Sequence, residues 1–424
     1  MSGGHPISTS DERSLLVPSA YPTRTASRRE ARRRAVRRQR IALAAAATAV
    51  LAVGSIATWA LGHLPTAVPA PVTAATPEPA APSETTVTAE SVASPQPTET
   101  PLPSRPATVT IAAVGDMHFD RQVRQAINRW GATAPLRHVA DRLAAADIAV
   151  GNLESTLSDL GERNAEKDYT FKGDPRGVEG LALAGFDFLS LANNHALDAG
   201  SEAMLDTIAR LDANNIGHAG AGADKTAAWT PAVHEVNGVS VAFFGFSHIL
   251  PAGFVATDSS PGIARGRGNM DSVEAAIRSA KEQYDYVIVS FHWGVEKEDN
   301  ANGDQVADAH RAVDAGADMV LSHHPHVIQA VEYYNGRLIA YSLGDFVFDH
   351  YSRKTGEAFI LEADLGPAGV ANARVVPVYL DDTYGVPDYV SGREATVILE
   401  RLKTLSAARR TTVAIDGDTA RILP

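Results

Sequence analysis

Ala317-Asp318-Met319-Val320-Leu321-Ser322-His323-His324-Pro325-His326 is a mostly apolar, β-rich run that ends in three imidazoles around one proline. Neutral imidazole is the commonest protein metal ligand, and the proline fixes the backbone between His324 and His326 so that ring nitrogens can converge. One such histidine alone would read as a packing residue at the rim of a core. Three together after a buried strand point to a metal site.

The pattern recurs. Val109-Thr110-Ile111-Ala112-Ala113-Val114 runs into Gly115-Asp116-Met117-His118, and Asp147-Ile148-Ala149-Val150 into Gly151-Asn152-Leu153-Glu154. Phe186-Asp187-Phe188-Leu189-Ser190-Leu191 runs into Ala192-Asn193-Asn194-His195, and Tyr286-Val287-Ile288-Val289-Ser290 into Phe291-His292-Trp293-Gly294. In α/β folds, sites gather beyond the carboxyl ends of strands, where loops from several strands meet. The five runs therefore predict one shared site.

Strand-like and helix-like segments alternate from residue 107, the signature of an α/β sandwich with a largely parallel sheet. Helices are expected at 135–145, from Pro175 with Asp174 as cap, and at 201–213, 271–284 and 305–315. Further strands are expected at 239–245 and 338–342. After Glu357 the strands become consecutive, at 358–365 and 371–380, which suggests a second sheet stacked on the first. Ser391-Gly392-Arg393-Glu394 has the spacing of a capping box and should open a last helix.

The N-terminal quarter reads differently. Residues 1–40 hold ten arginines against three acids, and 41–62 carry no charge and would span about 33 Å as a helix, enough for a bilayer core. Arginines on the leading side place the N-terminus in the cytoplasm and the remaining chain outside. A cleavable signal peptide is the alternative, with small residues near Ala70 and Ala75 available for cleavage. Residues 63–106, rich in Pro, Thr, Ser and Ala, cannot bury a core and read as a disordered tether. The leader and tether together account for 11 of the 38 basic and 7 of the 50 acidic residues, so the domain from 107 to 424 keeps 27 basic against 43 acidic. Such a domain repels polyanions on average and has no nucleic-acid stripe, so an anionic substrate has to be met locally. With no cysteine, any metal is held by oxygen and nitrogen, which suits one or two divalent ions of Mn, Zn, Fe or Mg.

Asp116 and His118, two apart, can both reach one ion, with Asn194 as a neutral oxygen ligand and His292, His324 and His326 completing a shell for ions about 3.5–4 Å apart. His195, beside Asn194, must point another way and is placed to donate a proton to a leaving group. Plain alternatives exist: Gly115-Asp116 as a strand-ending turn, Asn193-Asn194 as a helix cap, Trp293-Gly294 as an aromatic core plug with a turn.

Gly115-Asp116, Gly151-Asn152-Leu153-Glu154, Ala192-Asn193-Asn194-His195-Ala196-Leu197-Asp198, His292-Trp293-Gly294-Val295-Glu296, the stretch from His323 to Gln329 and Tyr341-Ser342-Leu343-Gly344-Asp345-Phe346-Val347-Phe348-Asp349 resemble, in order, the motif set of the CapA family of capsule and poly-γ-glutamate biosynthesis proteins. The resemblance covers 110–349. It implies a calcineurin-like metallophosphoesterase sandwich, two stacked β-sheets flanked by helices, with Asp116, His118, Asn194, His292, His324 and His326 on metal positions and His195 as proton donor. Two departures stand out. Where phosphoesterases place a bridging aspartate this chain has Asn152, a poor bridge between cations, and Glu154 is positioned to replace it. Asp345 stands where the family pattern has asparagine. Asn152 and Glu154 are thus further candidate ligands, Glu154 and Glu296 further acid–base candidates, and His323, Trp293, Asp345 and Arg121 candidate substrate contacts.

The expected function is a membrane-anchored extracellular hydrolase or transferase acting on a cell-envelope polymer. The alternatives are a non-catalytic partner of a membrane polymer synthase or exporter, and a generic metallophosphatase.

Overall fold

Alternate side chains of a strand point to opposite faces, and in Val109–Met117 (β1) both faces are apolar: Val109, Ile111 and Ala113 on one, Ala112 and Val114 on the other. Such a strand needs cover on both sides. In the computed structural model, which describes residues 108–424, it is central to a mixed sheet with Ile148–Leu153 (β2), Phe186–Ser190 (β3) and Gly217–Ala219 following in parallel on one side. A second sheet is built on Val239–Ser247 (β4), Tyr286–His292 (β5) and Met319–His323 (β6), again parallel, with Arg337–Ala340 beyond β6. The short strand Asp345–Val347 (β7) crosses back to pair in parallel with the end of β1.

Three apolar layers fix the stacking. Between the sheets lie Val109, Ile111, Ile148, Val150 and Phe188 from the first and Val241, Phe243, Ile288 and Leu321 from the second. The outer face of the first sheet is covered by Arg121–Trp130 (α1), Gly177–Ala184 and Gly200–Ala213 through Val123, Ile127, Leu181, Met204 and Leu211. The outer face of the second is covered by Met270–Lys281 and Gly303–Asp314 through Val273, Ile277, Ala309 and Ala312. This is the expected pair of stacked sheets flanked by helices.

Three details differ from expectation. Glu357–Gly366 and Gly369–Leu380 do not form the second sheet; the former pairs antiparallel with β1, from Val109↔Leu365 to Ala113↔Leu361, and extends the first. Both faces of that strand are apolar, so it satisfies the free edge of β1 while sharing its two cores. The helix expected at 135–145 breaks into a 3₁₀ turn, Ala134–Leu136, and one α turn, Ala140–Leu143. The helix Arg393–Ala407 starts from Gly392 at φ 57° with no side-chain cap; the capping box forms instead at Asn302 and Gln305, with reciprocal bonds of 2.9 and 3.0 Å.

The expected leader (1–40), membrane span (41–62) and linker (63–106) lie outside the described residues. Among the described residues no helix is long and apolar enough to cross a membrane.

Gly115 shows how tightly the site end of β1 is built. A Cβ there would stand 1.9 Å from the Gly344 carbonyl oxygen, which accepts the Asp116 amide at 2.9 Å. Neither backbone can yield without releasing Asp116 or Asp345. Gly115→Ala should therefore cost more than about 3 kcal/mol in urea unfolding, beyond ordinary overpacking.

Candidate metal centre

The parallel register lines up the chemistry at the strand ends: Asp116 opposite Asn152 and Asp345, and His292 opposite His323. Immediately beyond β2, Glu154 turns into the space where the sheets meet. Its amide is held by the Met117 carbonyl at 2.7 Å. Both its carboxylate oxygens are buried without a hydrogen-bond partner, while Oε1 stands 3.6 Å from His292 Nε2 and 3.8 Å from both His195 Nε2 and His326 Nε2. Ligand atoms of Asp116, Glu154 and His292, of Glu154, His324 and His326, and of Asp116, His326 and Asp345 lie within 4.8 Å of one another in each group.

A buried carboxylate with no donor is costly, and three carboxylates sharing one cavity are costlier still. Burial, aggravated by Asp116, pushes Glu154 well above the usual carboxylate range. Burial likewise raises Asp116, against the pull of His323 and His326. Burial pushes His324 down to about 3 and His292 well below its ordinary value, so both rings are neutral and keep a lone pair. For His326 burial acts downward but is outweighed by Asp345, Glu154 and Asp116, which together raise it. Unpartnered carboxylate oxygens facing neutral imidazoles form a donor set that suits a divalent cation, with oxygen and nitrogen ligands as the absence of cysteine requires.

The histidine turn is strained where it matters. His324 and His326 flank Pro325 at φ 97° and 54°, left-handed values that are uncommon for residues other than glycine. The turn is held by the His324 amide on Asp116 Oδ2, 2.9 Å, and by the Lys297 amide on the Pro325 carbonyl, 2.7 Å. Thus the backbone that presents the imidazoles is anchored by one of the carboxylates they face.

Asn194 Oδ1 faces His292 Nε2 at 2.7 Å, so these two expected ligands converge. His195 does point away from Asn194: its Nδ1 meets Asp198 Oδ2 at 2.5 Å, leaving Nε2 toward Glu154. Lys167 Nζ holds the other Asp198 oxygen at 2.5 Å and the Asn194 carbonyl at 2.6 Å. Burial pushes His195 down to about 4 against the opposing pull of Asp198. Asp345 Oδ1 bonds His326 Nδ1 at 2.8 Å, orienting that ring.

Five further expected site residues have other surroundings. Asn152 donates Nδ2 to Asp116 Oδ1 at 2.7 Å and accepts from Asn193 at 3.1 Å, so its oxygen faces away from the cluster. The flipped amide would set two oxygens against each other, and Asn152 is therefore a positioner of Asp116. His118 has both ring nitrogens engaged, Nε2 with Asp349 at 2.5 Å and Nδ1 with the Asp120 amide at 3.2 Å, and stacks on Phe171 as a wall of the site. Trp293 is fully buried, stacked on Phe291 at 4.5 Å with its indole N–H on the Tyr341 carbonyl, the surroundings of the core-plug alternative. His323 is buried, with Nδ1 3.4 Å from Asp116 Oδ1. Glu296 is exposed on the turn after β5, outside the cluster.

Asp198, Lys167, Phe171, Asn193 and Asp349 were not assigned roles from sequence. Asp198 lies three residues after His195, a spacing that suits a turn-borne imidazole–carboxylate pair, but Lys167 and Phe171 arrive from a long loop with no local signal.

A family model described as bacterial capsule synthesis protein PGA_cap matches residues 110–350. The chain belongs to that family. As a PGA_cap protein it is similar to the capsule biosynthesis protein CapA of Bacillus anthracis, 34% identical over 281 residues that make up 65% of this chain and 68% of that one. It is also 34% identical over 246 residues, 56% of this chain and 63% of the relative, to a probable polyglutamine synthesis accessory protein of Mycobacterium tuberculosis. Among solved structures, the NAD nucleotidase of Haemophilus influenzae covers 70% of this chain and 63% of its own at 13% identity and a TM-score of 0.39, too low to carry an inference about chemistry. A further relative, 32% identical over 293 residues that make up 68% of this chain and 77% of that one, is the PGA biosynthesis protein CapA of Bacillus subtilis.

Proposed function

We propose that this PGA_cap chain is a membrane-anchored, extracellular, metal-dependent hydrolase or transferase acting on a cell-envelope polymer. The observation that carries the reading is Glu154, whose two buried oxygens have no donor while three imidazole nitrogens stand within 3.8 Å. Asp116, Glu154, Asn194, His292, His324 and His326 would hold one or two divalent ions. Such an ion supplies Lewis acidity and a nucleophilic water at neutral pH.

The chain's own groups do the rest. Asn152 and the His324 amide fix the two oxygens of Asp116. Asp345 orients His326. Asp198, itself held by Lys167, accepts a hydrogen bond from His195 Nδ1–H and favours the imidazolium against burial, so that Nε2–H is the proton offered to the leaving group. Phe171 packs on both His195 and His118, with ring centroids 4.3 and 4.5 Å away, and excludes water from that side.

The test is metal analysis of the purified full chain incubated with Mn or Zn and then desalted. One or two ions per chain are expected, together with a rise in melting temperature that chelation reverses. A chain that takes up no ion sinks the reading. An accessory role beside a membrane synthase or exporter is the second reading, supported by the name of the mycobacterial relative. It is favoured if cells carrying a metal-free His324→Ala chain still export polymer at the normal rate.

A further inference from the structure

Beside the cluster stands a cation that proton transfer does not use. Arg121 opens α1 in a left-handed conformation, φ 48°, rarely adopted by arginine. The preceding Asp120 is pinned by the Lys172 amide at 3.0 Å and by Arg163 at 2.7 Å, which fixes where the Arg121 side chain leaves the backbone. Its guanidinium lies over the Phe171 ring, 4.6 Å from the centroid, with the Tyr169 ring at 5.6 Å. Nη1 donates to the Tyr351 hydroxyl at 3.2 Å and stands 3.6 Å from Asp349, a carboxylate already bonded to His118. Because Phe171 also touches His195, Arg121 is one aromatic ring from the proposed proton donor.

The neighbouring cations are spent on the fold. Arg163 and Lys172 bond Asp120 and the carbonyls of Thr170, Asp159 and Gly161. Arg121 commits one of five N–H donors to a hydroxyl, with the same nitrogen in ion-pair range of Asp349, and keeps its side chain 29% exposed. Tyr169 and Tyr351 flank it at 63% and 75% exposure. An arginine between exposed tyrosines is the residue combination that dominates binding hot spots. A planar guanidinium steadied on a ring presents parallel donors, the geometry that selects carboxylate and phosphate. In a domain with an acidic excess, an anion needs such a local seat.

We propose that Arg121, flanked by Tyr169 and Tyr351, is a specificity-determining seat for a carboxylate or phosphate of the substrate, placing the adjoining bond beside His195. The proposal rests on the reading of the cluster as a catalytic metal site. It is tested by calorimetric titration of the full chain, manganese-loaded and chelated, with glutarate and with inorganic phosphate. The wild type should bind at least one probe in both states, phosphate alone marking a phosphoryl substrate and glutarate a carboxylate one. Arg121→Gln should weaken that binding about tenfold or more at unchanged metal content, and Arg121→Lys should restore only part, since an ammonium has no fork. Tyr169→Ala, at an exposed position that leaves the core intact, should weaken it about threefold. Unchanged binding in Arg121→Gln and Tyr169→Ala, or no binding of either probe by the wild type, overturns the proposal. Failure of the metal reading looks different: a wild type that takes up no manganese yet loses probe binding on Arg121→Gln.

Discussion

Exchanging Glu154 for glutamine lowers metal affinity by at least about a hundredfold and, in the metal-free chain, raises the melting temperature. The first effect follows from placement: Glu154 belongs to two of the three groups of converging ligand atoms and supplies negative charge where Asn152 supplies none. Outer positions around a metal already cost about 10–100-fold when changed, so a central carboxylate costs more. The second effect has the opposite sign because the metal-free carboxylate is buried, donorless and crowded by Asp116. Replacing it with a neutral amide removes a desolvation penalty of about 1–3 kcal/mol, or roughly 2–6 °C for a domain of this size. A carboxylate that merely stabilised the fold would move both measurements down together. Metal titration followed by calorimetry, and thermal melts with chelator, separate the two, and a Glu154→Gln chain that still binds metal at wild-type affinity refutes the central role given to this residue.

Much of this was legible because chemistry-bearing residues follow directly on apolar runs. Strand ends must meet in a parallel sheet, so Asp116, Glu154, Asn194, His292, His324 and His326 could be drawn together from spacing before any coordinates. Facing is legible too: side chains alternate along a strand, so if His292 faces the site then Phe291 and Trp293 face the helices, where they stack. What spacing does not carry is the partner of a polar group. His118 has the right position, yet Asp349, 231 residues away, takes its Nε2. The strands after Glu357 have the right length and pattern, but whether they add to the edge of β1 or form a new sheet depends on which edge is free. Lys167 and Phe171 sit in a loop whose path is set by Asp198, which bonds the Phe171 amide at 2.7 Å.

Removing the His195 ring lowers turnover by about 100- to 10,000-fold while metal content stays at the wild-type level, the range expected for loss of a positioned proton donor. The ring is not one of the groups that converge as ligands, and its Nδ1 is turned to Asp198. Asp198→Asn should be milder, about 10- to 100-fold, because the amide keeps the shape but no longer favours the imidazolium whose Nε2 faces Glu154. Lys167 complicates that variant usefully: its ammonium is bonded to the Asp198 carboxylate, so Asp198→Asn leaves a partly buried cation 3.4 Å from His195 Nδ1, and Lys167→Met should recover part of the loss. Initial rates with manganese on a phosphoester and on poly-γ-glutamate, alongside elemental analysis, read all three. Full activity in His195→Ala on the bond that the wild type cleaves would remove the proton donor from the mechanism, while a parallel loss of metal would make His195 a ligand instead.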